Sequence, residues 1–241
     1  MQILLRSILF NVAFYSNTVF WLIVALPTFL MPYRAIVRIA QMWGRTNLTL
    51  LRIIAHIDVE WRGLEKIPAG PLLIAAKHQS AWETFALLTL FDDPLFVLKR
   101  ELQWIPIFGW LLIKGRMVAI DRRRGKAALA AMNERARIEL AHGRQLILFP
   151  EGTRRPAGAE PRYKFGVAYV YAAAGVPCLP IALNSGLFWP RRTFLRRPGT
   201  VVVEFLDVIP PGLEKEAFFE KLQAAIEGTS ERLMKEGEAK V

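Results

Sequence analysis

The chain has 241 residues, 53% hydrophobic and 22% charged, with one cysteine and a formal net charge of +11. This composition excludes a disordered chain, and a lone cysteine excludes a disulfide scaffold or a cysteine-rich zinc module. The length fits one α/β-sized domain with an appendage, and the cysteine usage fits a reducing compartment.

The basic excess lies between residues 61 and 200. Its clusters are Arg122, Arg123 and Arg124 with Lys126, Arg154 with Arg155, and Arg191 and Arg192 with Arg196 and Arg197. Such a field draws phosphate-bearing partners: nucleic acid, anionic lipid or phosphorylated metabolites. The sequence carries no recognition-helix, zinc-finger or aromatic–basic RNA-binding pattern, so nucleic acid is not an expected partner.

Residues 7–33 carry no charge. Residues 8–30 would reach roughly 30 Å as a helix, enough to cross a bilayer core. Asn11, Ser16, Asn17 and Thr18 interrupt that stretch and Pro27 breaks it. A spanning helix and a shallow interfacial or re-entrant one both remain open. A cleaved signal peptide fits poorly, because the apolar stretch is long and no A-x-A site follows. Pro32 suits the first turn of a second helix. Arg34, Arg38, Arg45 and Arg52 then fall within roughly 40° of one another at 100° per residue, a basic stripe. Ile36, Ile39, Ala40, Trp43, Ile53 and Ile54 supply apolar surface around it. That pattern suits a helix at an anionic membrane surface. If the apolar stretch spans, one Arg precedes it and four follow it, and the positive-inside bias then places the rest of the chain on the cytoplasmic side. Residues 1–57 are thus expected to be membrane-associated helices.

Residues 58–241 read as the main domain. Short apolar runs at 57–61, 71–76, 95–98, 117–120, 145–149, 178–183 and 200–205 are expected strands. Helices are expected at 82–90, 102–113, 126–141, 164–174 and 214–235. Their alternation predicts an α/β fold, a mixed, largely parallel sheet flanked by helices and preceded by the membrane-associated segment.

The run at 71–76 leads into Lys77-His78-Gln79-Ser80-Ala81-Trp82-Glu83. His78 therefore follows a buried strand, where α/β folds place binding groups. On one continuous helix His78 and Glu83 would sit about 140° apart, so they meet only if the chain turns between them. Ser80-x-x-Glu83 has the pattern of a capping box and supplies that turn. Two roles for Glu83 follow, a helix cap or an orienter of the imidazole, and they are not exclusive. In the second, the carboxylate fixes the tautomer and the other ring nitrogen accepts a hydroxyl proton. His56 and His142 read as structural, Cys178 as a small core residue, and no metal site is expected.

The run at 145–149 is followed by Pro150-Glu151-Gly152-Thr153-Arg154-Arg155. Gly152 lets backbone approach a ligand, while Thr153 and Arg154 supply phosphate donors. Glu151 could orient the loop or a guanidinium, or the segment could be an ordinary polar turn. Lys164 stands at an expected helix start, and Gly115 and Arg122 flank the strand at 117–120.

Four motifs in order resemble the 1-acyl-sn-glycerol-3-phosphate acyltransferase family, over roughly residues 57–210. They are His78-x4-Glu83, Gly115 through Ile120-Asp121-Arg122, Phe149-Pro150-Glu151-Gly152-Thr153-Arg154, and Val176-Pro177-Cys178-Leu179-Pro180-Ile181. Glu83 stands where Asp is commoner in that family, and Lys77 where Asn is common. The resemblance makes residues 58–241 the acyltransferase domain. It implies direct transfer of a fatty acyl group from an acyl thioester to the sn-2 hydroxyl of lysophosphatidic acid, giving phosphatidic acid. His78 would be the general base and Glu83 its orienter. Arg122, Arg154 and Lys164 would hold the acceptor phosphate, in a pocket shaped by Gly115, Glu151, Gly152 and Thr153. No cofactor or metal is implied; acyl-CoA or acyl-carrier protein (acyl-ACP) is a co-substrate. The implied partners are a membrane lipid acceptor, the acyl donor and an anionic membrane surface. The implied location is the cytoplasmic face of a bacterial-type inner membrane. The alternatives are another lysophospholipid or a lyso-ornithine lipid as acceptor, or a non-catalytic lipid-binding protein of the same fold.

Overall fold

The computed structural model describes residues 1–121, 123 and 125–239. Strands β2 (Leu72–Ala76), β5 (Gln145–Leu148) and β6 (Cys178–Leu183) are buried at every position. Continuous apolar strands of this kind need cover on both faces. β1 (Ile57–Arg62), β3 (Pro94–Lys99), β4 (Val118–Ile120) and β7 (Gly199–Phe205) complete the sheet among the described residues. Its order is β1-β7-β6-β2-β5-β3-β4. Only the β6–β7 junction is antiparallel, so the sheet is mixed and largely parallel, as expected.

Successive β2 side chains point to opposite faces, which divides the core. Leu73 and Ala75 face α5 (Gly125–Ala141), α6 (Gly166–Ala174) and α8 (Lys215–Glu238). Leu72, Ile74 and Ala76 face α1 (Gln2–Val24), α3 (Trp82–Ala86) and α7 (Ser185–Phe188). α2 (Tyr33–Leu50) packs on α1 and α3. The N-terminal helices therefore share the domain's core. Phe10 is buried against Trp189, ring centroids 5.4 Å apart. Beside it, Arg196 stacks 4.1 Å over Trp189 and donates to Asn11 Oδ1 at 3.1 Å. Burial in this apolar setting pulls the Arg196 guanidinium down to about 10.

The helix expected over 102–113 is broken. A 3-10 turn covers Arg100–Trp104, and α4 (Phe108–Lys114) starts only after Ile105, Pro106 and Ile107. Pro106 cannot donate a helical hydrogen bond and disfavours helical backbone at Ile105. α7 was not expected; one turn is too short to show periodicity.

At the opposite end of the strands from His78, the fold closes around a buried guanidinium. Arg144 donates to Asp93 Oδ1 and Glu139 Oε2, each at 3.0 Å, and to the Gly115 carbonyl at 3.2 Å. It lies 4.8 Å over the ring of Tyr33, whose hydroxyl donates to Asp93 Oδ2 at 2.6 Å. This joins the start of α2, the loop before β3, the end of α4 and α5 at one charge. Removing one partner from a buried ionic network leaves charge uncompensated, at a cost of about 3–5 kcal/mol. Arg144→Met should lower unfolding stability by about 3 kcal/mol or more, read from denaturant unfolding in detergent followed by tryptophan fluorescence. Glu139 also meets Arg116 at 3.1 Å and Arg135 at 2.7 Å, so a loss under about 1 kcal/mol would mean that these partners and those of Asp93 compensate fully.

Candidate active site

The carboxyl ends of β2, β5, β3 and β6 lie along one edge of the sheet, the usual binding edge of an open α/β fold. After β2 the chain turns through Lys77 to Ser80 before α3 begins. That turn brings His78 Nδ1 to 3.0 Å from Glu83 Oε1. The same oxygen accepts from the Gln79 N–H at 2.6 Å and the Ser80 N–H at 2.7 Å. Ser185 Oγ donates to Glu83 Oε2 at 2.9 Å, and the carboxylate is fully buried. Ser80 Oγ accepts from the Trp82 N–H at 3.2 Å. Glu83 Oε1 thus meets two backbone amides before its helix and the imidazole; the helix itself starts after Ala81, which has no side-chain cap.

The tautomer follows from this network. A carboxylate ringed by donors fills only acceptor roles, so Nδ1 carries the hydrogen and Nε2 presents a lone pair. The ring lies flat on Phe149, centroids 3.8 Å apart at 12°, and Phe149 stacks in turn on Phe96. The His78 carbonyl accepts from the Arg155 N–H at 2.8 Å, which ties the loop after β5 to the histidine turn. Gly152 adopts φ +64° in that loop, a conformation glycine takes without a steric cost.

His78 lines a cavity of about 890 Å³. Trp21, Leu22, Ile36 and Ile39 of the N-terminal helices line it, as do Phe96, Leu98, Met117, Leu129 and Met132. Cations line it as well: Lys99 at the end of β3, Arg154, Lys164, Arg191 and Arg192. Arg191 donates to the Arg154 carbonyl at 2.8 Å, joining the two arginine loops.

Of the expected site residues, His78, Gly152, Thr153, Arg154 and Lys164 share this cavity, with Glu83 behind the histidine. Gly115 does not line it; its carbonyl is held by Arg144 at the far end of the strands. Glu151 turns away from it into the protein. Its Oε1 lies 3.4 Å from Lys77 Nζ, which sits 2.6 Å from Glu227 Oε1 on α8. Burial pushes the Glu151 carboxyl above the usual carboxylate range, and Lys77 opposes the shift. Arg122 lies outside the described residues. Of the motif at 176–181, residues 178–181 lie buried in β6, the strand expected there. Among the described residues no group of three or more His, Cys, Asp and Glu could hold a metal ion.

Lys99, Ser185 and the place of Trp21, Leu22, Ile36 and Ile39 in the cavity lining escaped the sequence reading. Lys99 stands just past a strand, as His78 does, and that placement was the available signal. Nothing local marks Ser185, which meets Glu83 across 102 residues. A hydrogen bond to a charged group contributes about 1.5–3 kcal/mol. Ser185→Ala is therefore expected to lower kcat by about tenfold or more while KM stays near its starting value. An unchanged kcat would mean that Glu83 is held without Ser185.

Residues 58–184 match the family described as Acyltransferase. A 1-acyl-sn-glycerol-3-phosphate acyltransferase of Pseudomonas aeruginosa is 42% identical over 188 residues, 78% of this chain and 72% of that protein. The enzyme of the same name from Limnanthes alba is 29% identical, over 74% of this chain and 63% of its own length. The alignment thus spans slightly under two thirds of the plant relative. The crystal structure of the 1-acyl-sn-glycerophosphate (LPA) acyltransferase PlsC from Thermotoga maritima has the same fold, with a TM-score of 0.79 at 23% identity. That match covers 97% of this chain and 99% of the other. The resemblance carried by the four motifs is borne out, and the chain belongs to the Acyltransferase family.

Proposed function

We propose that the chain transfers an acyl group from an acyl thioester, acyl-CoA or acyl-ACP, to the sn-2 hydroxyl of lysophosphatidic acid, giving phosphatidic acid. The observation that carries this reading is one cavity lined both by an oriented imidazole and by a group of cations. The names of the relatives agree with it.

His78 Nε2 takes the proton of the acceptor hydroxyl as its oxygen attacks the thioester carbonyl. Glu83 holds the ring and stabilises the imidazolium that forms. The tetrahedral intermediate collapses, the C–S bond breaks, and the imidazolium returns its proton to the departing thiolate. The product is an ester and a free thiol, and no covalent acyl-enzyme is needed. Arg154, Lys164 and Lys99 hold the acceptor phosphate by charge-assisted hydrogen bonds. The apolar walls take an acyl chain, and burial there favours a long one.

The acceptor and the product are membrane lipids, and the N-terminal segment suits that. Gln2–Leu30 is long and apolar enough to cross a membrane, with 11% of its most apolar window buried. Arg34, Arg38, Arg45 and Arg52 are exposed on the segment that follows. We read the location as the cytoplasmic face of a bacterial-type inner membrane; the charge asymmetry across a spanning Gln2–Leu30 supports the cytoplasmic side.

General base catalysis typically contributes about 10²–10⁴-fold. His78→Ala should abolish thiol release from acyl-CoA with lysophosphatidic acid while the melting temperature is retained; full turnover by a folded variant would reject the assigned base. Arg154→Ala should raise KM for lysophosphatidic acid by about tenfold or more, the worth of a charge-assisted hydrogen bond, and leave KM for acyl-CoA nearly unchanged. A panel of lysophospholipids in the same assay identifies the acceptor; preference for one without a phosphomonoester would exclude lysophosphatidic acid.

A further inference from the structure

The broken helix over residues 100–114 builds a wall one layer thick. Leu102, Phe108, Leu111 and Leu112 line the cavity. Trp104, Ile105, Trp110 and Ile113 point the other way and are 67%, 45%, 52% and 56% exposed. The break makes this division possible. Ile107 has φ +63° and ψ −63°, and the Phe108 N–H donates to the Pro106 carbonyl at 2.7 Å. This is a strained γ-turn, and a β-branched residue rarely occupies it. It reverses the chain tightly enough for Gly109 to meet the backbone of Gln103, where an added Cβ would lie 2.2 Å from the carbonyl oxygen. Such strain persists where surrounding packing holds it. Ile107 packs here against a small core of Ala25, Ile36 and Leu111.

The same small core joins this wall to the end of the N-terminal apolar segment, where Leu26, Leu30 and Met31 are also exposed. Both segments therefore pack on one small core and each leaves apolar side chains exposed. The flanks of the wall segment carry basic residues: Lys99 and Arg100 precede it and Lys114 follows, with Arg100 paired to Asp121 at 3.1 Å and Glu101 the acidic residue within it. Exposed tryptophans on a surface with basic flanks match the headgroup boundary of an anionic bilayer. An acidic carrier protein would be met by charge, whereas the outward side chains here are aromatic and aliphatic.

We propose that the outer face of residues 100–114 is a second membrane-contact element that seats the cavity wall in the headgroup–acyl boundary of an anionic bilayer. This rests on the reading of the substrate as a membrane lipid. It assigns to the catalytic domain a lipid contact separate from α1, beside the cavity that receives the acyl chain.

The test uses the full chain. Cys178 is fully buried, so a thiol introduced at the surface can be labelled selectively. Trp104→Cys, Trp110→Cys and, as control, Lys221→Cys on α8 across the sheet each carry a polarity-sensitive fluorophore. Vesicles of phosphatidylcholine and phosphatidylglycerol are then added. Blue-shifted, several-fold brighter emission at 104 and 110, quenched by brominated phosphatidylcholine and absent at 221, is the expected result. The proposal is overturned by unchanged emission at 104 and 110, whether or not the protein sediments with the vesicles. It is equally overturned if acyl-carrier protein shifts these probes and vesicles do not. This readout needs no turnover, so it stands apart from the assigned reaction. A Trp104→Asp/Trp110→Asp variant should lose about tenfold in kcat/KM on vesicle-embedded acceptor. On a dispersed short-chain acceptor it should match the starting enzyme; equal losses on both would also sink the idea.

Discussion

The site depends on how one buried carboxylate is satisfied. Removing Glu83 from water is costly unless donors replace the solvent. Here they come from the Gln79 and Ser80 amides, the His78 ring and the Ser185 hydroxyl. Each of these bonds also restrains its donor. The turn after β2 is fixed, the imidazole is held in one tautomer, and the end of β6 is drawn to the end of β2. Stacking on Phe149 removes the remaining rotation of the ring and couples it to the loop after β5. An imidazole positioned this way needs little reorganisation to act as the proposed base.

The parallel arrangement then gathers charge beside it. Parallel strands end on one side, so Lys99 and Arg154 come to the same edge as His78 although long segments separate them in the chain. The loop after β5 divides its labour. Gly152, Thr153 and Arg154 face the cavity, whereas Glu151 is turned inward to Lys77 and, through it, to Glu227 of α8. Lys77, next to the histidine, thereby links the floor of the site to the C-terminal helix. The acidic last helix supports the site from behind.

The N-terminal helices are a structural part of the cavity. Trp21, Leu22, Ile36 and Ile39 make its wall, while Phe10 and Asn11 dock on Trp189 and Arg196. At the other end of the strands, Tyr33 of α2 shares Asp93 with Arg144. The apolar segment is therefore tied to the domain at both ends, and a lipid bound between them would meet protein on each side.

Much of this was legible in the sequence, because the patterns are local. Apolar runs alternating with helices gave the α/β sheet, and the spacing of Ser80 and Glu83 required a turn that brings His78 to its carboxylate. The order of the motifs indicated the family, and the charge-free N-terminus indicated apolar helices. Tertiary structure alone decided the rest. The strand order β1-β7-β6-β2-β5-β3-β4 is not the chain order, so no local pattern could show that Ser185 completes Glu83. Nor could it show that Lys99 joins the cations, or that the Gly115 carbonyl belongs to Arg144 at the far end of the strands. Glu151 sits in a polar motif and points inward for the same reason: its partners arrive from distant segments. Short-range chemistry sets turns and periodicities, whereas a three-dimensional site is made by groups whose distances only packing determines.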